Sequence, residues 1–308
     1  MPLKVSIIGA SSTVGEPLSP DSLILRCLQR VAGTEVHLVE TKQADVVLMH
    51  PYRYPFTSTP AGALADAVAK RVRARSGVEA EGLLRKIYGI PKRTRILVIS
   101  HENLDRRPWQ AFGNLLLKTD LPRLTFWPQV LDPKGFRFPY WWNYVSWPEF
   151  SLTHNVKGTR FGTFYDLDIL CEPQDLTEQM SMRLNKAVWL TKHLDFPRKA
   201  ILDMVTQTTE VDLLQGVPWG GKLERLKDYR FCVTSENSTG YGYETEKLME
   251  ARIAGCIPIG YVQNPFSDFN QDAFFFNPPS ETVSTLPPLL KERPELNGLL
   301  EYLGNSVV

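Results

Sequence analysis

An excess of charge of either sign is missing from this sequence. Thirty-five Lys and Arg face 34 Asp and Glu, leaving a formal net charge of +1. That balance excludes a broadly basic nucleic-acid binder and argues against wholesale docking on anionic membranes, although a local basic cluster can still hold one anionic ligand. Cysteine is scarce. Cys27, Cys171, Cys232 and Cys256 are widely spaced with no CxxC pair, which gives a zinc site or redox dithiol little support and makes a reducing compartment the simplest reading. Cys232 and Cys256 lie in apolar runs and read as small buried hydrophobes. No run approaches the roughly 20 apolar residues of a spanning helix. The opening Met-Pro-Leu-Lys-Val-Ser-Ile-Ile-Gly has no long apolar core like that of a signal peptide. The expected location is cytoplasmic, with at most peripheral membrane contact. Internal repeats and low-complexity tracts are also missing.

What is present is the pattern of a soluble α/β protein. Its 308 residues, 43% of them hydrophobic, suffice for two domains at about 150 residues each. Lys4–Gly9, Glu35–Val39, Ala44–His50 and Arg95–Ser100 read as strands, with helical spacing over Asp21–Ala32 and Ala61–Tyr88. Strands alternating with helices imply a largely parallel sheet covered on both faces. From Leu121 to Phe150 aromatics and prolines crowd together (Phe126-Trp127-Pro128, Phe136 to Trp142, Trp147-Pro148), and the prolines read as breaks in regular structure. The polar stretch Leu152–Glu172 reads as the domain joint. A second α/β pattern follows, with strands over Ala187–Lys192, Val211–Leu214, Arg230–Ser235 and Cys256–Tyr261. Helices are expected over Arg198–Thr206, Leu223–Tyr229 and Thr245–Ala254. The expectation is two Rossmann-like domains facing a central cleft, residues 1–157 and 158–308.

The segment from Phe231 to Tyr261 carries the chemistry. It reads as strand, polar glycine loop, helix, strand, and in such units ligands bind beyond the carboxyl ends of the strands. Glu236, Asn237 and Ser238 emerge there, and Gly240 and Gly242 allow close backbone approach. Lys247 in the first helical turn suits a diphosphate. Glu246 can accept two hydrogen bonds from a ribose diol, and Tyr243 offers a ring for stacking. Taken singly, each has a structural reading as a cap or a local ion pair; together they point to a nucleotide. Gly9-Ala10-Ser11-Ser12-Thr13-Val14-Gly15 lacks the three-glycine dinucleotide fingerprint, so an NAD enzyme is rejected.

This segment resembles the donor-binding motif of the family-ten glycosyltransferases, the α-1,3/1,4-fucosyltransferases. The residues that carry the likeness are Ser235-Glu236-Asn237-Ser238, Tyr243-Glu244-Thr245-Glu246-Lys247, Ile257-Pro258-Ile259 and Asp268-Phe269-Asn270. Ala187-Val188-Trp189-Leu190-Thr191, Arg198 and Val211-Asp212 are similar to the lead-in of the same domain. The resemblance covers roughly the second half of the chain. It implies the GT-B architecture of two Rossmann-like domains, with GDP-fucose in the second. It carries the base and ribose contacts to Asn237, Tyr243 and Glu246, and the diphosphate contact to Lys247. The family also clamps the diphosphate with an arginine before the last helix–strand pair. Here Val217-Pro218-Trp219-Gly220-Gly221-Lys222 stands in that place, so Lys222 or Arg225 becomes the candidate substitute, and a lysine lacks the bidentate fork.

The family's base is a glutamate in a Gly/Ser-x-Glu-Asn motif at a strand end. Ser100-His101-Glu102-Asn103 follows the strong Arg95–Ser100 strand, and Glu102 is the assigned general base for inverting fucosyl transfer to a glycan hydroxyl. A positioned base contributes ~10²–10⁴-fold. The competing reading is a loop-capping Glu with Asn103 making a turn, and His101 is an alternative base or an orienting neighbour. Tyr140, Trp141 and Trp142 divide evenly between an acceptor-stacking platform and core packing at the joint. Asp166-Leu-Asp168 has the spacing of a metal motif but sits in the joint, so no cofactor is expected and a divalent cation is at most stimulatory. The expected partners are a GDP-sugar donor and an oligosaccharide or glycoconjugate acceptor, with no nucleic acid. The alternatives are a transferase for another GDP-sugar and a catalytically silent sugar-nucleotide-binding protein. A start directly on a strand is similar to the bacterial, cytosolic members.

Overall fold

The structure, a computed structural model, describes residues 1–8, 22–50, 77–100, 103–105, 110–150, 165–191, 193–218, 221–260 and 266–308. They form two compact units: Met1–Pro139 with Glu295–Val308, and Tyr140–Pro294. The joint expected at 157/158 falls among residues outside this description. Residues 295–308, expected in the second domain, belong to the first unit.

The first unit is built on six parallel strands in the order β2-β1-β3-β4-β5-β6: β1 (Leu3–Ile8), β2 (Val36–Leu38), β3 (Val46–Met49), β4 (Arg95–Ile99), β5 (Arg123–Thr125) and β6 (Gly135–Arg137). β3 and β4 are apolar and buried, as strands covered on both faces must be. The helix Leu23–Ala32 starts where the Ser22 side chain caps the Leu25 amide, and it ends at Gly33 with φ 61°. It buries Ile24, Cys27 and Leu28. The C-terminal helix Asn297–Ser306 packs on it so closely that a Cβ on Gly304 would lie 3.3 Å from Val31 Cγ1.

β5 and β6 correct the reading of 121–150 as irregular. The prolines flank the strands instead of interrupting them. A buried charge pair fixes this edge: the Arg123 guanidinium donates to both Asp132 oxygens at 2.7 and 2.6 Å, and its third nitrogen reaches the carbonyls of Leu116, Thr119 and Leu121.

The second unit carries a four-stranded parallel sheet and a two-stranded antiparallel pair. The pair is β7 (Gln174–Asp175) with β12 (Thr285–Leu286). The larger sheet runs β11-β10-β8-β9, from β8 (Leu184–Leu190), β9 (Val211–Leu214), β10 (Tyr229–Val233) and β11 (Ile257–Ile259). Alternate residues serve opposite faces. Ala187, Trp189, Phe231 and Val233 join one cluster, whereas Val188 and Cys232 join another with Leu226, Ala251 and Cys256. The helices Lys222–Leu226 and Lys247–Ile253 therefore cover the same face. Cys232 and Cys256 are buried as expected, and burial pushes the Cys256 thiol up to about 12.

Removing the Asp132 carboxylate strands a buried guanidinium, which typically costs about 3–5 kcal/mol. Asp132→Ala should lower the urea unfolding free energy by about that much. A loss below about 1 kcal/mol would show that the pair does not hold the β5–β6 edge.

Candidate active site

Chain order 8, 9, 10, 11 and spatial order 11, 10, 8, 9 place β8 beside β10 with their connections leaving in opposite directions. This is a topological switch point, and the carboxyl ends of such strands open a crevice for ligands. Two loops emerge there. The loop after β8 leads to the helix Arg198–Val205, and the loop after β10 leads to the helix Lys247–Ile253.

Arg198 occupies the first position of its helix and is 7% exposed. One guanidinium nitrogen donates to Thr191 Oγ1 at 2.8 Å and to the His193 carbonyl at 3.4 Å; the other reaches the Ser235 carbonyl at 3.5 Å, tying the two strand ends together. Lys247 also opens its helix, and Arg198 is near enough to oppose its charge. A helix N-terminus disfavours cations, so two of them at neighbouring helix starts need a compensating anion.

Part of that anion is internal. Glu236 Oε2 accepts from Lys247 Nζ at 2.6 Å, while Oε1 accepts from the Thr245 amide and hydroxyl at 2.8 and 2.7 Å. Glu236 thus closes the loop onto the helix start and steadies Lys247. Gly242, at φ 79°, lets the loop turn back. Gly260 follows β11 where the backbone passes Thr234 closely; a Cβ there would meet Thr234 Oγ1 at 2.7 Å. Burial alone would lower the Lys247 pKa, but the Glu236 and Glu246 carboxylates outweigh it and raise it.

Glu246 and Glu250 lie one turn apart, 3% and 4% exposed, and face the same ammonium. Lys222 Nζ stands 3.4 Å from Glu246 Oε1 and 3.0 and 3.1 Å from the two Glu250 oxygens. Burial pushes both carboxylates up. For Glu246, Lys247 and Lys222 together reverse the effect and hold it at about 2. For Glu250, burial prevails over Lys222, and the charge of Glu246 adds to it, raising its pKa to about 7. Two buried carboxylates sharing one lysine titrate as a set, and the second cation beside Glu246 decides which keeps its charge. Tyr144 and Tyr165 face the same pair; burial first, and these carboxylates among the further causes, raise both phenols.

The other expected residues fall as follows. Asn237 and Ser238 are half-buried at the loop start, 3.3 Å apart through Oδ1 and Oγ, and Tyr243 is buried. Lys222 joins the cluster but is turned to carboxylates. Arg225 does not join it: this exposed residue lies near Tyr229, at the amino end of β10. The cation that does accompany Lys247 is Arg198, which the sequence reading placed only in the lead-in. Its signal was an arginine directly after Pro197, at a helix start where the dipole repels it.

Trp141 and Trp142 are buried. Trp141 packs at a tilt against Phe269, ring centroids 5.9 Å apart, and donates to Asp268 Oδ2 at 3.0 Å, while Trp142 packs edge-on to Trp147 at 5.7 Å. Tyr140 is half-buried and edge-on to Tyr144. These contacts are those of core packing. Asn103 is buried in the first unit and its Oδ1 accepts from the Asp105 amide at 3.0 Å, the turn-forming role. His101 and Glu102, immediately beyond β4, lie outside the described residues. Among the described residues no group of His, Cys, Asp or Glu could hold a metal ion, and no helix is long and apolar enough to cross a membrane. Asp168 pairs with Arg293.

No family model and no curated protein matches the sequence. Solved structures do match. A crystal structure of an α1,3-fucosyltransferase aligns with a TM-score of 0.53 at 18% identity, over 90% of this chain and 72% of that one. One of an α1,3-fucosyltransferase with GDP-fucose gives 0.52 at 15%, and one with GDP gives 0.51 at 16%, each over 98% of this chain and 78% of the other. The fold is thus of the GT-B type.

The opposed titrations make a pH test. Protonation of Glu250 stabilises the folded state fully below its ordinary 4.5, and that contribution is lost as pH rises through about 7. Glu246 acts oppositely, contributing above 4.5 and losing that contribution as pH falls through about 2. Between pH 5 and 8 the Glu250 effect is the one that changes. Glu250→Gln should flatten a decline in urea midpoint that the wild type shows across this range, and an unchanged slope in the variant would refute the assignment.

Proposed function

We propose that this protein is an inverting glycosyltransferase that moves fucose from GDP-fucose to a hydroxyl of a glycan acceptor, in an α-1,3-type linkage. The observation that carries the reading is the convergence of Arg198 and Lys247 beside buried, ionised Glu246 at the β8–β10 switch point. Two cations suit a diphosphate, and one carboxylate beside them suits the ribose diol of the same nucleotide. The loop that presents Glu246 and Lys247 holds the family's Glu-Asn-Ser and Tyr-x-Thr-Glu-Lys residues, and similarly folded proteins were crystallised with GDP-fucose and GDP.

In the proposed reaction Glu102 takes the proton of the acceptor hydroxyl. The acceptor oxygen forms its bond to the anomeric carbon from one face while the bond to the diphosphate oxygen breaks on the other, which inverts the centre. Negative charge grows on the departing GDP, and Lys247 and Arg198 are the groups assigned to stabilise it. Because these two supply the positive charge, transfer needs no obligatory metal, and a divalent cation at most stimulates it. Asn237, Ser238 and Tyr243 are assigned to the nucleoside side of the donor.

The test is a donor and acceptor screen by mass spectrometry together with calorimetry. GDP should bind, GDP-fucose should be the preferred donor, and EDTA should leave turnover intact. Lys247→Ala should weaken GDP binding by about tenfold or more, as loss of a charge-assisted contact does. Glu102→Ala should keep GDP affinity while transfer falls by ~10²–10⁴-fold. Lack of affinity for guanine nucleotides would end the proposal. Undiminished turnover in the Glu102 variant would remove the base.

A further inference from the structure

The sequence reading offered Lys222 as a phosphate ligand, yet its ammonium points at carboxylates. Both oxygens of Glu250 hold it, at 3.0 and 3.1 Å, and on its other side stands Glu246 Oε1 at 3.4 Å. The lysine side chain is 13% exposed and the two carboxylates 4% and 5%. Residues 222 and 246–250 come from two helices that cover one face of the sheet, and Leu226 and Ala251 lock those helices together through the shared apolar cluster. A buried ammonium gripped this way has little freedom to move. A carboxylate facing it keeps both its charge and its orientation.

We infer that Lys222, anchored by Glu250, is a positioning residue for Glu246, fixing that carboxylate so that it can read the hydroxyls of a nucleotide ribose. This rests on the proposed role of Glu246 at the donor site. Lys222 touches no reacting atom in this account. Its effect passes through Glu246 and appears in selectivity for the sugar of the nucleotide, not in general affinity for anions.

The groups that face Glu246 are Lys247 and Glu250 on its own helix, Lys222 from the neighbouring helix, and the phenols of Tyr144 and Tyr165. Removing Lys222 leaves Lys247 as the one cation among the groups named here that face Glu246. Glu246 then begins to protonate within the accessible pH range, which the wild type avoids because its carboxyl is held near 2.

The experiment compares GDP with 2′-deoxy-GDP by calorimetry, with ADP as a control for base discrimination. Wild type should bind GDP more tightly than 2′-deoxy-GDP by roughly tenfold or more, as expected when a hydrogen bond to a charged group is lost, with the ratio flat between pH 5 and 8. Lys222→Met should lose most of that ratio and keep the GDP-to-ADP ratio. Lys222→Gln retains a donor without the charge and covers the case in which the Met variant does not fold. Its GDP-to-deoxy-GDP ratio should shrink as pH falls from 8 to 5. Lys222→Arg should restore part of the wild-type ratio. A full and pH-independent ratio in the folded Lys222 variants would overturn the positioning role while leaving Glu246 in place. Parallel loss of both ratios would also overturn it, marking general collapse of the site. Wild type without a ribose preference, or Glu246→Gln retaining one, would instead overturn the reading of Glu246 on which the inference stands.

Discussion

Three cations and three carboxylates meet at the carboxyl ends of β8 and β10: Arg198, Lys222 and Lys247 with Glu236, Glu246 and Glu250. In a site of low dielectric no such charge is tolerable alone, since breaking one buried pair commonly costs several kcal/mol. Each partner therefore fixes the next. Thr245 holds Glu236, Glu236 holds Lys247, Lys247 and Lys222 keep Glu246 ionised, and Glu250 anchors Lys222. The strand order sets this chain of dependence. Only because β8 and β10 are neighbours do the Arg198 loop and the Glu236 loop open side by side.

The two carboxylates on Lys222 diverge: burial raises Glu250 to about 7, while Lys247 and Lys222 hold Glu246 at about 2, although Glu250 is the nearer to Lys222. Two cations oppose proton uptake at Glu246, and at Glu250 a single close cation must offset burial and a neighbouring carboxylate together.

The inner strands were legible because burial on both faces writes them as continuous apolar runs, as in Ile96-Leu97-Val98-Ile99 and Val46-Val47-Leu48-Met49. β5 was not, because its first residue is an arginine, and only the fold supplies the Asp132 that makes a buried guanidinium acceptable there. The Glu236–Lys247 loop could be read because its residues are contiguous. Arg198 escaped because its partnership with Lys247 is tertiary, formed by strand adjacency and invisible to spacing. Lys222 was noticed for its charge, but its contacts with Glu246 and Glu250 were not legible for the same reason: these look like ordinary helix-start acids until the second helix covers the same face. Trp141 and Trp142 showed the converse. Aromatic density alone does not separate a sugar platform from a core, and their burial beside Phe269 and Trp147 favours the core.

A buried polar network of this size is an inefficient way to stabilise a fold. Apolar side chains of similar volume commonly do as well or better by 1–4 kcal/mol, and the opposite face of the same sheet uses them, with Trp189, Phe231 and Val233 in one apolar cluster. These six charges gather at the end of the sheet where the switch point opens. Together they keep one carboxylate, Glu246, ionised where burial alone would push its pKa up. A helix-capping role for Glu246 would need neither the second helix nor its lysine, yet both are present.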